Sequence, residues 1–294
     1  MHPSHSMAQR EPYASGGRCI YCCEPFPKLT KEHIVPEALS GTWCILGACN
    51  DCAAQSNEEY EQLVLQSDMV RTMRDFLALK RKRKNKKKPI EMPPLFKHGT
   101  AGQTTVAKTD YLPKPDDNFY PRLFMMIALE PAMRLSPPDT ILAQRPFRLW
   151  MRNVQGRKPG PVVVTDPATV ANAYTSPTEL ILSADVAMAN RRVSIRQRFP
   201  ALKFMRMLAK IAYCFAVAEH GIDRYSGSEI QQLVRGERDD YYNFVGGSVN
   251  GEFLSHTRLH HLEFRRRGDL MTVLVHLFSS YHAPPYEVVI GQAS

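Results

Sequence analysis

Two cysteine pairs, Cys19-x-x-Cys22 and Cys49-x-x-Cys52, constrain this chain more than any other feature. Each two-residue gap lets both sulfurs face one point, so two such turns brought together make a tetrahedral thiolate cage, and zinc then supplies cohesion that a short segment cannot draw from a hydrophobic core. The 26 residues between Cys22 and Cys49 exceed a minimal zinc-ribbon loop and leave room for a hairpin with its own chemistry. Cys23, Cys44 and Cys214 remain over; each reads as a small buried hydrophobe, and Cys23 could replace Cys22 as a ligand.

That loop contains Lys31-Glu32-His33-Ile34-Val35-Pro36-Glu37-Ala38-Leu39. A neutral imidazole takes a proton from water near neutral pH, so His33 reads as a general base. Glu32 offers a hard oxygen to Mg2+ or Mn2+, and adjacent strand residues diverge, so base and ligand can approach one phosphate from different angles. The run Lys80-Arg81-Lys82-Arg83-Lys84-Asn85-Lys86-Lys87-Lys88 carries eight positive charges, which leaves the rest of a chain with net charge +9 close to neutral. Charge concentrated in this way suits a polyanion, because releasing condensed counterions from nucleic acid drives binding.

Taken together, Cys19-x-x-Cys22, Lys31 through Gly41 and Cys49-Asn50-Asp51-Cys52 resemble the zinc-stapled, four-cysteine subgroup of the HNH endonucleases, also called the His-Me finger or ββα-metal superfamily. The resemblance covers about residues 18–60, a fifth of the chain, and its most telling piece is the acidic-His-Ile-x-Pro string. It implies a β-hairpin followed by a helix, single-metal hydrolysis of DNA, His33 as general base and Glu32 as a catalytic-metal ligand. Two positions depart from the pattern. Cys44 stands where an asparagine braces the loop, and Ala53 stands where a His or Asn gives the second metal ligand. Asn57, one helical turn on, is the substitute ligand, with Gln55 and Asp51 as weaker ones. The same departures suit an alternative: a zinc module that binds nucleic acid without cutting it. A regulatory or assembly protein dominated by its C-terminal part is a third reading.

The expected class is α+β, with a zinc-bound ββα-metal nuclease core at the N-terminus and a larger α+β portion of unknown fold behind it. Residues 1–17 read as disordered, 18–60 as the core, 61–93 as a helix and basic linker, and 94–294 as an accessory domain. Tyr60, Leu63, Val64, Val70, Met73, Phe76 and Leu77 recur at helical spacing, with Ser56-x-x-Glu59 as a capping box. Short apolar runs between scattered Pro and Gly over 94–200 predict strands and turns. A helix spans 201–220, bounded by Pro200 and Gly221, with Leu202, Met205, Leu208, Ala209, Ala212 and Phe215 as one apolar stripe. Leu259–Phe264 and Leu270–Phe278 flank Arg265-Arg266-Arg267-Gly268-Asp269 as a hairpin, whose arginines could grip phosphates, and Tyr286–Ile290 reads as a third strand. His260-His261 reads as a solvated pair, and His220 as a partly charged helix terminus.

No run approaches the roughly 18 apolar residues that cross a bilayer, and residues 1–17 lack an apolar signal core, so the expected location is cytoplasmic. Nucleic acid, in the first place DNA, is the expected partner, and the C-terminal portion could bind a protein or a second copy. A defence role would suit such an enzyme.

Overall fold

Thr30–His33 and Cys44–Ala48, separated by a loop containing Pro36 and Gly41, pair as antiparallel strands β2 and β3 in a computed structural model of the chain. The structure describes residues 13–77, 79, 96–100, 103–105, 123–136, 148–155, 158–164, 174–176, 179–188, 191–249 and 257–293. β1 (Tyr13–Ala14) lies parallel to β3, with Tyr13 opposite Ile45, so disorder expected across residues 1–17 does not extend to these two; residues 1–12 lie outside the described residues. The β2–β3 loop folds through a 3-10 turn at Glu37–Leu39 and closes tightly. A Cβ on Gly41 would sit 1.9 Å from the Val35 carbonyl oxygen, so this position admits only glycine.

β3 passes through Cys49 into a helical rod built of α1 (Asn50–Ser56), a π-helical turn (Asn57–Glu61) and α2 (Gln62–Gln66). The predicted capping box at Ser56 is therefore wrong. Ser56 lies buried inside the rod, and the N-cap is Cys49, whose sulfur accepts the Cys52 N–H. Extended backbone at Ser67 (ψ 145°) ends the rod before α3 (Asp68–Phe76).

The middle of the chain is strand-rich. β4 (Phe96–Thr100), β5 (Gln103–Thr105), β9 (Tyr174–Ser176), β10 (Glu179–Met188) and β11 (Arg191–Phe199) form a sheet of order β5-β4-β11-β10-β9, while β6 (Leu123–Ala128), β7 (Arg148–Gln155) and β8 (Lys158–Val164) form another. β11 runs directly into α4 (Ala201–His220), which starts after Pro200 and stops at Gly221, whose φ of +85° favours glycine. One apolar stripe was too narrow a prediction for α4. Every residue from Phe204 to Val217 is buried, including Arg206 and Lys210, so the helix is enclosed on all sides. α5 (Glu229–Arg235) and α6 (Tyr241–Phe244) follow, then a sheet of order β12-β15-β14-β13 made by β12 (Val245–Gly247), β13 (His260–Arg267), β14 (Leu270–Leu277) and β15 (Tyr286–Gln292). The C-terminal hairpin turns on Gly268-Asp269 alone, and the strand continues through the three arginines.

Phe215 of α4 stacks on Trp43 of the first hairpin's loop (ring centroids 6.5 Å apart) and on Phe264 of β13 (4.8 Å). The described residues thus form a mixed α+β structure in which residues 18–60 and 201–292 share one buried core around α4.

Candidate metal centre and adjoining histidine

Cys19 and Cys22 come from the turn before β2, and Cys49 and Cys52 from the start of α1. Their four sulfurs lie within 4.8 Å of one another, Cys19 and Cys49 buried and the other two partly so. The register question is settled in favour of Cys22, since Cys23 Sγ instead meets Ser226 Oγ at 3.1 Å and the Gln231 amide at 3.0 Å. Cys49 N–H donates to Cys19 Sγ at 3.3 Å. Burial opposes ionisation of Cys19, yet the backbone N–H groups of Cys22, Cys49 and Tyr21 outweigh it and hold that thiol below its ordinary value. Burial, then the adjoining sulfurs, push Cys52 up; burial leads in raising Cys22 too. Thiolates packed this closely repel each other, and a cation among them cancels the repulsion. The donor set therefore fits a metal ion.

The back of this knuckle is held by the C-terminal helices. Tyr213 of α4 donates its hydroxyl to the Ile20 carbonyl, and the Gln231 side-chain amide of α5 donates to the carbonyls of Ile20 (3.0 Å) and Tyr21 (3.1 Å). Arg18 pairs with Asp223 at 2.7 Å. Sequence reasoning missed Tyr213 and Gln231, because nothing local marks a partner some two hundred positions away.

β2 presents Glu32 and His33 to opposite faces, as strand alternation requires. The Glu32 side turns inward, 8% exposed, and its Oε1 lies 2.5 Å from Lys210 Nζ. The same ammonium meets Glu61 Oε1 at 2.8 Å and donates to the His33 carbonyl at 2.6 Å. Lys210 is wholly buried; burial works against its charge, but Glu32 and Glu61 more than compensate and push its pKa well up, so it stays an ammonium. Glu32 is therefore a counter-ion rather than a free ligand, and the two residues do not converge on one point. Asn57 opens the π-helical turn with its backbone N–H on Ala53 and Ala54; no hydrogen bond among the described residues joins its side chain to His33 or Glu32. The His33 imidazole faces the other way, 24% exposed, with Nε2 3.7 Å from Glu37 Oε2. Glu37 was in the motif but had not been singled out. Lys210 and Glu61 did have a signal: a lysine amid Met207-Leu208-Ala209 and Ile211-Ala212 must find buried counter-charge.

His260 is not a solvated residue. Its Nδ1 accepts the Phe278 N–H at 3.2 Å, so Nε2 carries the proton and donates to the Leu39 carbonyl at 2.7 Å, tying β13 to the loop that holds Glu37. Burial pushes its pKa down to about 4, against the hydrogen bond to Leu39. The unfolded imidazole titrates near 6.5, so between these values the unfolded chain binds more protons. Stability is thus complete above pH 6.5 and lost as pH falls toward 4. Urea unfolding should show a loss on the order of 2–3 kcal/mol across that window, reduced in His260→Gln; an identical pH slope in both proteins refutes it.

His220 is held below its ordinary value chiefly by burial, stacked on Phe264 with Nδ1 2.7 Å from the Tyr225 hydroxyl. Arg265 pairs with Glu263 (3.1 Å) and Arg267 with the buried Glu287 (2.8 Å), while Arg266 has no ion-pair partner among the described residues. Lys80, Arg81, Lys82, Arg83, Lys84, Lys86, Lys87 and Lys88 lie outside the described residues. Among the described residues no helix is long and apolar enough to cross a membrane.

Comparison with protein-family models, curated proteins and solved structures returned no match, so function has to be read from this geometry.

Proposed function

We propose that the chain is an HNH-type nuclease that hydrolyses phosphodiester bonds in DNA, with a ββα core stapled by zinc on Cys19, Cys22, Cys49 and Cys52. Four thiols arranged as two Cys-x-x-Cys turns suit zinc by softness and by tetrahedral preference. The observation that carries the reading is one unit: β2 and β3 followed by α1, thiols at both ends, and a partly exposed imidazole on the hairpin's outer face. In this reading His33 takes the proton of the attacking water, and Glu37 beside it orients the ring and favours its protonated form once the proton has moved. The basic run from Lys80 to Lys88 draws in the polyanion without reading sequence.

The resemblance also implies a catalytic Mg2+ or Mn2+. The first donor it names does not fit: Glu32 is committed to Lys210. No step is assigned to that ion. This misfit favours the second reading, a zinc module that grips nucleic acid without cutting it.

Nicking of supercoiled plasmid separates the two. With Mg2+ or Mn2+ present, wild type should nick and His33→Ala should lose roughly 10²- to 10⁴-fold in rate, as removal of a general base does. Nicking that survives the substitution refutes the assignment of His33. No nicking by wild type with any divalent cation leaves the binding module.

A further inference from the structure

Lys210 places one cation at the point where three elements meet. Its stem leaves the centre of α4, and its ammonium forms ion pairs with Glu32 on β2 (2.5 Å) and with Glu61 in the π-helical turn (2.8 Å) and donates a hydrogen bond to the backbone carbonyl of His33 itself. The side chain is wholly buried. Three oxygens, from three different residues, thus lie within 2.8 Å of the one ammonium nitrogen. Two of the three hold consecutive residues of one strand. A strand gripped by a side chain on its inner face and by the next residue's carbonyl can neither slide nor rotate about its axis. The outward direction of the following side chain is then fixed.

We infer that Lys210 is a positioning residue for His33, aiming its imidazole by clamping Glu32 and the His33 carbonyl from behind, and that Glu32 serves this clamp rather than a divalent cation. An outer contact completes the frame: Glu37 stands 3.7 Å from Nε2 on the solvent side, and the loop carrying it is tied down by His260 at Leu39. The imidazole is thereby located between an inner clamp and an outer carboxylate. π-Helical turns commonly reposition a single side chain by one register step, and here the turn contains Glu61. The kinetic part of the inference rests on the nuclease reading; the clamp itself does not.

Two variants test it. Lys210→Arg keeps the charge but offers a planar fork that cannot put three donors at one point. Lys210→Met with Glu32→Gln and Glu61→Gln removes the clamp without leaving a buried ion unpaired. Zinc content and far-UV circular dichroism establish which variants fold, and at least Lys210→Arg, which preserves the net charge, is expected to. In each folded variant the His33 imidazole cross-peak, assigned by its loss in His33→Ala, should shift or split in the NMR spectrum. The kcat for plasmid nicking should fall roughly 10- to 100-fold with KM for DNA little changed, the signature of a misplaced group. Mn2+ binding followed by its EPR signal should be the same in Glu32→Gln as in wild type. An unmoved His33 signal with unchanged kcat overturns the inference, as does loss of Mn2+ binding in Glu32→Gln. If wild type nicks nothing, the nuclease reading fails alone, and the His33 signal and the Mn2+ titration still decide whether the clamp exists.

Discussion

Stripping the metal with a chelator should unfold residues 18–66 and release α4 from them, seen as a loss of cooperative melting and of helical circular dichroism that returns with one equivalent of Zn2+. The segment's buried side chains, such as Ile20, Ile34, Val35, Leu39 and Ile45, belong to a small sheet of order β1-β3-β2 that packs on α4, and a metal on the four thiols would tie the turn before β2 to α1. Structural zinc contributes an apparent ~10–16 kcal/mol at neutral pH in small zinc modules, as much as the ~5–15 kcal/mol that holds a whole domain. Cys49→Ala should be the most damaging single change in this knuckle, because Cys49 is at once one of the four candidate ligands and the N-cap of α1. The effect should travel. Tyr213 and Gln231 hydrogen-bond to carbonyls inside the first Cys-x-x-Cys turn, so amides of α4 should lose hydrogen-exchange protection when the metal leaves. A metal-free protein with an unchanged melting curve would show that the sulfurs are merely neighbours.

The features legible in the sequence were those whose cause is local. Thiol spacing, the Pro200 and Gly221 boundaries of α4 and the turn of the C-terminal hairpin each act within a few residues, and each is present in the fold. Ser56-x-x-Glu59 carried a helix-start signal, but Cys49 had already begun that helix, and Glu59 is spent on Arg206 at 2.7 Å. The larger failures concern long-range charge. Arg206 and Lys210 sit one turn apart in an apolar helix, and their counter-ions Glu59, Glu61 and Glu32 lie about 150 or more positions earlier. No periodicity reports such a pairing, so Glu32 read as a ligand looking outward when it is an anchor looking in. His260 failed for the same reason: its partner is the Leu39 carbonyl, on the other side of the core.

That buried charge sets the second large effect. Lys210→Met alone should cost about 3–5 kcal/mol in urea unfolding, because it leaves Glu32 and Glu61 facing each other in the core and the His33 carbonyl without its donor. Glu61→Gln alone should cost less, since Lys210 retains Glu32. The neutral triple variant, with no ion left to strand, should lie far closer to wild type than the single one despite carrying three times as many changes. If Lys210→Met loses under about 1 kcal/mol, or if the triple variant is the worse of the two, the ammonium is not the element that joins β2, the rod and α4.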